Sequence, residues 1–210
     1  MTMLSAYHEL YQGRSDEEID FRIKVKELGL RQVLAVVGVP EFVLPTLRVA
    51  VFGCGDRRFV ARHRQMFESI FSKPAEVTTF DVTTEHLQGE ADVIQHDVAL
   101  PVPGGPFDIV YADVLARFLD PAKQYSMMKN AYDVLAPGGM AIVTFAKEDF
   151  DPPPDYEPIP GTSRVDMNAL QFELAGNKIE FLEVPVTLEL VPPKKDHKIT
   201  IEDLVLVLKK

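Results

Sequence analysis

The sequence predicts an α/β protein with a doubly wound, mostly parallel sheet in a three-layer α/β/α arrangement. Apolar runs of strand length alternate with stretches of helical periodicity along the chain. The first run, "LRVAVF" (47–52), is continuous and β-branched, which is typical of a central parallel strand covered on both faces. The length of 210 residues suits one domain with a substantial core and is short for two.

The first 40 residues have the character of a charged helical segment. Ser15 is positioned as an N-cap, and Glu18 follows three residues later, which is the pattern of a capping box. We expect the segment 1–40 to pack as a helical layer on the core formed by 47–210. Residues 1–210 would then form a single domain.

The remaining elements follow in a regular alternation. The expected later strands are "EVTTFDVT" (76–83), "ADVIQHDV" (91–98), "FDIVYADVL" (107–115), "MAIVTFA" (140–146), "IEFLEVPVTLEL" (179–190) and "EDLVLVLKK" (202–210). The expected helices are 59–71, 120–139, in which the glycines of "APGG" close the helix, and 164–176. Pro185 predicts that its strand lies at an edge of the sheet or carries a bulge.

Composition narrows the classes of function. Asp and Glu number 32 against 22 Lys and Arg, so the net charge is -10 and general binding of nucleic acid is disfavoured. The single cysteine, Cys54, excludes an internal disulfide and a cysteine-rich zinc site, and no other metal-ligand spacing is present. Since neither a long apolar run nor a secretory signal pattern is found, we expect a cytoplasmic protein without a membrane span.

Three turns at strand ends carry the candidate site. Gly53 and Gly55 follow the first strand, where a glycine turn lets backbone N–H groups approach a ligand closely. Asp81 ends the second strand and Asp97 the third, where carboxylates can accept from ribose hydroxyls and from an exocyclic amine. In a doubly wound sheet these positions share the carboxyl edge, where ligands bind.

The ordered segments "VAVFGCGD", "TTFDVT", "IQHDV", "FDIVYADVLARFLD" and "NAYDVLAPGGMAIV" resemble the class I S-adenosylmethionine-dependent methyltransferases. The "LAPGG" turn is the most specific of these matches. The resemblance covers residues 47 to 210 and implies a seven-stranded sheet whose last strand is antiparallel. It also implies S-adenosylmethionine as the cofactor. The acidic net charge and the short chain without a large insertion favour either a small-molecule substrate or a partner-assisted one.

The resemblance assigns roles by position. The implied cofactor-binding residues are Phe52, Gly53, Cys54, Gly55, Asp81, Val82, Asp97, Val98, Tyr111 and Ala112. The implied substrate-binding residues are Asp113 and Tyr7, the latter in an N-terminal segment that also contains His8 and Tyr11. Arg57 is a further substrate-binding candidate because of its charge beside the glycine turn. Transfer from an activated sulfonium demands mainly alignment of the reacting atoms, and no catalytic residue is assigned.

Two positions depart from the family pattern. Val51 replaces a usual acidic residue two places before the first glycine, and Arg57 replaces a usual third glycine. Three placements of Arg57 are open on sequence alone: it pairs with a carboxylate, it leans into solvent, or it blocks the pocket. Arg57 belongs to an arginine-rich stretch (57–64) that forms either a solvated helix face or an anion site.

Two other functions stay open. A catalytically inactive methyltransferase-like subunit that binds a partner or ligand would explain Val51 and Arg57. A nicotinamide-dependent oxidoreductase ranks lower, because Arg58 stands where its fingerprint requires a third glycine. His63 on an apolar helix face and His96 beside Asp97 are interpreted first as structural residues, and Cys54 is given no redox role.

Overall fold

A single mixed sheet forms the centre of the computed structural model, which describes residue 11 and residues 13–210. Within that part of the chain the sheet has seven strands in the order β3-β2-β1-β4-β5-β7-β6. The strands are β1 (Leu47–Phe52), β2 (Ala75–Asp81), β3 (Val93–Gln95), β4 (Phe107–Asp113), β5 (Leu135–Ala146), β6 (Phe181–Leu190) and β7 (Ile199–Lys209).

Strand directions follow the predicted pattern. β1 pairs in parallel with β2 and with β4, β2 with β3, and β4 with β5. The last strand, β7, pairs antiparallel with both β5 and β6. The expectation of a mostly parallel sheet with an antiparallel last strand is confirmed. Pro185 lies in β6, at the edge of the sheet, where a missing backbone donor is tolerated.

Helices cover both faces of the sheet. They are α1 (Asp16–Val37), α2 (Arg58–Phe71), α3 (Pro121–Asp133), α4 (Lys147–Phe150) and α5 (Met167–Gly176). Buried side chains of α1 and α2 pack on one face of β1 and β4, and those of α3 and α5 pack on the other. The three layers are therefore those the sequence predicts, and α1 begins at the capping box formed by Ser15 and Glu18.

The boundary between α3 and β5 differs from the expectation. The helix ends at Asp133, and the glycines of "APGG" lie inside β5 instead of closing the helix. Phe107 pairs with Leu135 and Ile109 pairs with Met140, so the intervening residues form a bulge against β4. The predicted third strand also shortens to three residues, because it lies at the opposite edge and pairs only with β2.

The bulge makes Gly139 a stability determinant. A Cβ at this position would lie 2.8 Å from the carbonyl oxygen of Asp108 and 3.0 Å from that of Ala136. We expect Gly139→Ala to lower the free energy of unfolding by about 1–3 kcal/mol, because backbone atoms cannot move aside as a side chain can. Urea denaturation followed by circular dichroism measures this change.

Gly176→Ala is the matched control, since no atom lies within 4 Å of the position where its Cβ would be. It should change the free energy of unfolding by less than about 0.5 kcal/mol, or raise it slightly. Equal losses in the two variants would contradict the assignment of a close backbone approach at Gly139.

Candidate functional site

The turn after β1 depends on glycine. Gly53 has a φ of +77°, and its N–H donates to the carbonyl oxygen of Phe80 at 2.8 Å. A Cβ on Gly53 would lie 2.8 Å from Cδ1 of Leu115. Conformation and space therefore both favour glycine here, and the chain can turn directly over the sheet edge.

Asp81 fixes this turn to the end of β2. Its Oδ2 accepts from the backbone N–H of Cys54 at 2.7 Å, and its Oδ1 accepts from the N–H of Thr83 at 3.1 Å. On the other side of the turn, His86 Nε2 lies 2.6 Å from the carbonyl oxygen of Cys54. Because Asp81 is buried, these bonds are shielded from water and hold the glycine turn rigidly.

The Cys54 thiol stays protonated within this turn. Burial raises its pKa to about 12, so the thiolate that nucleophilic or redox chemistry requires is not formed near neutral pH. Cys54 acts here as a small buried residue whose backbone N–H meets Asp81.

Asp97 and His96 follow β3 at the same edge. Asp97 accepts from Lys123 Nζ at 2.8 Å and from the N–H of Ala99 at 3.0 Å, and the ammonium group of Lys123 lowers the pKa of this carboxyl group. The Nε2 atom of His96 is buried and has no hydrogen-bond partner among the described residues. His96 thus carries a buried polar atom that is not satisfied by the described part of the chain.

These turns surround a cavity of about 270 Å³, named here the glycine-turn cavity. Its lining comprises Gly53, Cys54, Gly55, Phe80, Asp81, Val82, His96, Asp97, Val98, Asp113, Leu115, Phe118, Leu119, Asp120 and Lys123. The structure thus brings together the glycine turn, both carboxylates and their neighbouring valines. The stretch 115–123, which sequence reasoning missed, supplies one wall, and the only sequence signal for it was its position after β4.

Three residues implied as cofactor-binding lie beside this cavity without lining it. Phe52 is buried under it and packs edge-on against Phe80, with ring centroids 6.0 Å apart. Ala112 is buried in the core on the same face of the sheet. Tyr111 points to the opposite face, where its ring contacts Phe67, because side chains alternate along a strand.

The two departures from the family pattern leave the glycine-turn cavity open. Val51 is buried in the core beneath α1 and α2, on the face of the sheet away from this cavity. Arg57 is exposed at the start of α2 and lines a separate surface depression with Glu85 and His86. Of the three placements considered, the structure shows the one in which Arg57 points away from the pocket.

The neighbouring arginines are held by carboxylates. Arg58 pairs with Asp56 at 2.7 Å and also reaches Asp16. Arg62 pairs with Asp20 at 2.6 Å, and Arg64 pairs with Asp92 at 2.9 Å. These pairs neutralise much of the arginine-rich stretch, which therefore resembles a solvated, paired helix face more than an anion site.

The other candidate residues fall into two groups. Tyr7 and His8 lie outside the described residues. His63 is 2% exposed and stacks on Phe59 with ring centroids 5.7 Å apart, and burial lowers its pKa well below the usual value. It is a neutral core residue, as the apolar pattern around it predicts.

A second cavity of about 610 Å³ lies on the other side of Asp113 and is named the charged cavity. Asp113 lines both cavities, so the two meet at the carboxyl end of β4. The Asp113 carboxylate contacts Lys26 Nζ, which comes from α1. Among the acidic groups of the charged cavity, Asp203 has its pKa raised to about 7, first by burial and then by the nearby charges of Asp113 and Glu148.

The comparisons with known proteins agree with this geometry. Residues 51–143 match the family model described as a methyltransferase domain. Solved structures of class I methyltransferases share the fold of this chain. Residues 51–143 are thus similar to a methyltransferase domain, and the chain has the fold of S-adenosylmethionine-dependent methyltransferases. No curated protein matches the chain significantly.

Three solved structures illustrate the likeness in fold. A S-adenosylmethionine-dependent methyltransferase from Thermotoga maritima has a TM-score of 0.58 and 17% identity, with 99% of this chain and 100% of that one covered. N-methyltransferase NodS from Bradyrhizobium japonicum, in complex with S-adenosyl-L-homocysteine, has a TM-score of 0.51 and 15% identity, with 90% and 86% covered. TehB from Haemophilus influenzae has a TM-score of 0.55 and 15% identity; the match covers 86% of this chain and 61% of that one.

The residues of the glycine-turn cavity fit the cofactor of this family. A Cβ on Gly53 would push against the Leu115 side chain that lines this cavity, and Asp81 keeps lone pairs beyond its two backbone bonds. His96 lines the same cavity, and its Nε2 atom is buried without a partner among the described residues. Within the described ranges, no helix has the length and apolar character required to cross a membrane.

The raised pKa of Asp203 predicts a pH-dependent stability. Because the native state binds this proton more tightly than the unfolded chain does, the stabilisation is complete below about pH 4 and is lost as the pH rises towards 7. We expect Asp203→Asn to leave the melting temperature unchanged near pH 4 and to raise it by about 2 °C or more at pH 8. Differential scanning fluorimetry across this range measures the effect.

Asp196→Asn is the control, because the Asp196 side chain is 100% exposed. It should shift the melting temperature by less than about 1 °C at every pH. A difference between Asp203→Asn and the wild type that does not change from pH 4 to pH 8 would contradict the raised pKa.

Proposed function

We propose that this protein transfers a methyl group from S-adenosylmethionine to a small-molecule acceptor. The observation that carries the proposal is the meeting of two cavities at Asp113. One is the glycine-turn cavity, which fits the family's cofactor, and the other is the charged cavity of about 610 Å³, a size typical of small-molecule sites.

In this proposal the cofactor lies along the carboxyl edge of β1, β2 and β3. The Gly53–Gly55 backbone faces its methionine part, and Asp81 accepts from the ribose hydroxyls. Asp97, Val98 and His96 surround the adenine. The apolar side chains of Leu115, Phe118 and Leu119 cover the bound molecule and exclude water.

The chemistry requires few side chains. S-adenosylmethionine supplies a methyl group already activated on a sulfonium. The protein holds the acceptor atom in line with it, and Asp113 stands at the boundary that the acceptor must reach. Arg57 and Tyr7, implied as substrate-binding by sequence, take no part in this arrangement: Arg57 lines neither cavity, and Tyr7 lies outside the described residues.

The alternative of an inactive methyltransferase-like subunit is favoured less. It was motivated by Val51 and Arg57, and the side chains of both lie away from the glycine-turn cavity. An open cavity with a rigid glycine turn supports cofactor binding. The small-molecule acceptor and the cytoplasmic location stay predictions, and the acidic net charge of -10 supports an acceptor other than nucleic acid.

Isothermal titration calorimetry with S-adenosylmethionine tests the proposal. We expect saturable binding by the wild type and at least tenfold weaker binding by Asp81→Asn. The amide nitrogen of the variant would face a backbone N–H, which loses one bond of the turn and a ribose acceptor. Each variant is first checked for cooperative unfolding.

Asp92→Asn is the matched control. Asp92 pairs with Arg64 on the surface, its side chain is 57% exposed, and it lies outside the glycine-turn cavity. Its affinity for S-adenosylmethionine should equal that of the wild type within twofold. The absence of heat and of a thermal shift at millimolar S-adenosylmethionine would rule out the proposed function.

A further inference from the structure

The charged cavity has an acidic end and a basic end. α1 runs along it and contributes Glu18, Arg22 and Lys26, each about one turn further towards Asp113. Lys26 contacts Asp113, whereas Arg22 lies one turn further away and Lys195 lies on the loop before β7. The end that meets the glycine-turn cavity is therefore distinct in charge from the rest.

Carboxylates outnumber cations at this junction. Arg117 pairs with Asp149 at 2.5 Å and lies 3.6 Å from Glu148. Lys26 forms an ion pair with Asp113. Asp203 adds a further carboxyl group, for which no hydrogen bond or ion pair is found within the part of the chain that the structure describes. Two cations, Lys26 and Arg117, thus stand against three carboxyl groups that line this end, Asp113, Glu148 and Asp203, and Arg117 also pairs with Asp149, which does not line the cavity.

Asp203 lies close to the point where transfer would occur. Asp203 and Asp113 both line the charged cavity and also a small inner cavity of about 30 Å³ beneath it. Asp203 lies on β7, opposite Ala146 at the carboxyl end of β5. Its side chain therefore faces the space next to the boundary of the glycine-turn cavity.

One polar group at this end of the charged cavity lacks a hydrogen-bond partner. The Arg117 side chain is 8% exposed and lines the charged cavity, and its Nε atom is buried with no hydrogen-bond partner among the described residues. The Nε–H group is a donor, so water or another acceptor would satisfy it, and it does not itself select a cationic ligand.

We propose that the charged cavity takes an ammonium compound as methyl acceptor and that Asp203 both pairs with its nitrogen and accepts its proton. This inference rests on the proposed methyltransferase function and names its substrate class. A primary or secondary amine fits, because its cationic form is attracted by the excess of carboxylates and its neutral form is the nucleophile.

The transfer conserves atoms, charge and electrons. The Asp203 carboxylate takes one proton from the bound ammonium group and becomes a neutral carboxylic acid, which leaves a lone pair on nitrogen. That lone pair forms a bond to the methyl carbon while the carbon–sulfur bond breaks and its electron pair stays on sulfur. The products are the N-methylammonium compound and S-adenosylhomocysteine, and Asp203 returns its proton to solvent.

The acid–base properties of the site support this role. Burial beside Asp113 and Glu148 raises the pKa of Asp203 to about 7, so the group changes charge near neutral pH. The titratable and charged groups that surround Asp203 are Lys26 of α1, Tyr111 and Asp113 of β4, Arg117 after β4, Glu148 and Asp149 of α4, and Glu202 of β7.

Calorimetry on the protein saturated with S-adenosylhomocysteine tests the inference. The probes are phenethylamine, cyclohexylmethylamine and butylamine, each compared with the carboxylate of the same carbon skeleton. We expect at least one amine to bind at least tenfold more tightly than its carboxylate, and Asp203→Asn to weaken that amine about tenfold. The control Asp196→Asn should leave the affinity unchanged.

The number of protons released on amine binding distinguishes the proposed role of Asp203 from a purely structural role, which would not affect this number. At pH 7 the wild type should release about half a proton when the amine binds, because pairing lowers the pKa of Asp203. Asp203→Asn should release none. Titrations in two buffers of different ionisation enthalpy measure this number, and the unchanged or raised melting temperature of the variant shows that it is folded.

The outcomes separate the two proposals. If S-adenosylhomocysteine binds but no amine binds at 10 mM, or a carboxylate binds as tightly as its amine, the inference is overturned and the proposed function stands. The inference is also overturned if Asp203→Asn keeps the amine affinity or the proton release. If S-adenosylhomocysteine does not bind, the proposed function is overturned, whatever result the amines give when they are titrated into the free protein.

Discussion

The site depends on one buried carboxylate. Asp81 accepts from the N–H of Cys54 at 2.7 Å and from that of Thr83 at 3.1 Å, and thereby joins the turn after β1 to the turn after β2. A buried carboxylate with two backbone donors is strongly held, because its removal would leave both N–H groups unsatisfied. The shape of the glycine-turn cavity follows from this link, since Gly53 and Gly55 have no side chains of their own to hold them.

A second constraint lies at the end of β4. Asp113 stands where the glycine-turn cavity meets the charged cavity, and its carboxylate contacts Lys26. Because that cation is occupied, the nearby Asp203 keeps an uncompensated carboxyl group. Asp81 thus organises the sheet edge with backbone bonds, and in the function we propose the carboxyl group of Asp203 is the one that meets the acceptor.

Much of the fold could be predicted, because continuous apolar runs and apolar residues at helical spacing directly indicate which strands and helix faces are buried. The predictions were less accurate where pairing decides the structure. The "APGG" glycines are typical of a helix end, but the pairing of Phe107 with Leu135 draws them into a bulge of β5. The strand at 91–98 shortened to Val93–Gln95, because a sequence does not show how long an edge strand remains paired.

Part of the candidate site could also be predicted from the sequence. Glycines and carboxylates at strand ends signal a shared edge, and Gly53, Asp81 and Asp97 do line one cavity. The side chain of Tyr111 lies on the opposite face of the sheet, because side chains alternate along β4. The strand pattern alone already implied this. Leu115 and Lys123 could not be predicted as cavity residues from the sequence. They reach the cavity through a turn at Val114, which has a φ of +52°. A β-branched residue gives no sequence signal for such a turn.

The most direct test of the central claim is a nuclear magnetic resonance titration of the ¹⁵N-labelled protein with S-adenosylhomocysteine. We expect the largest amide shifts at Gly53, Cys54 and Thr83, which surround the Asp81 carboxylate, and at Ala99, whose N–H meets Asp97. Saturable shifts confined to these turns would support the account. Saturation with the amides at Cys54 and Thr83 unmoved and the shifts located elsewhere would contradict it.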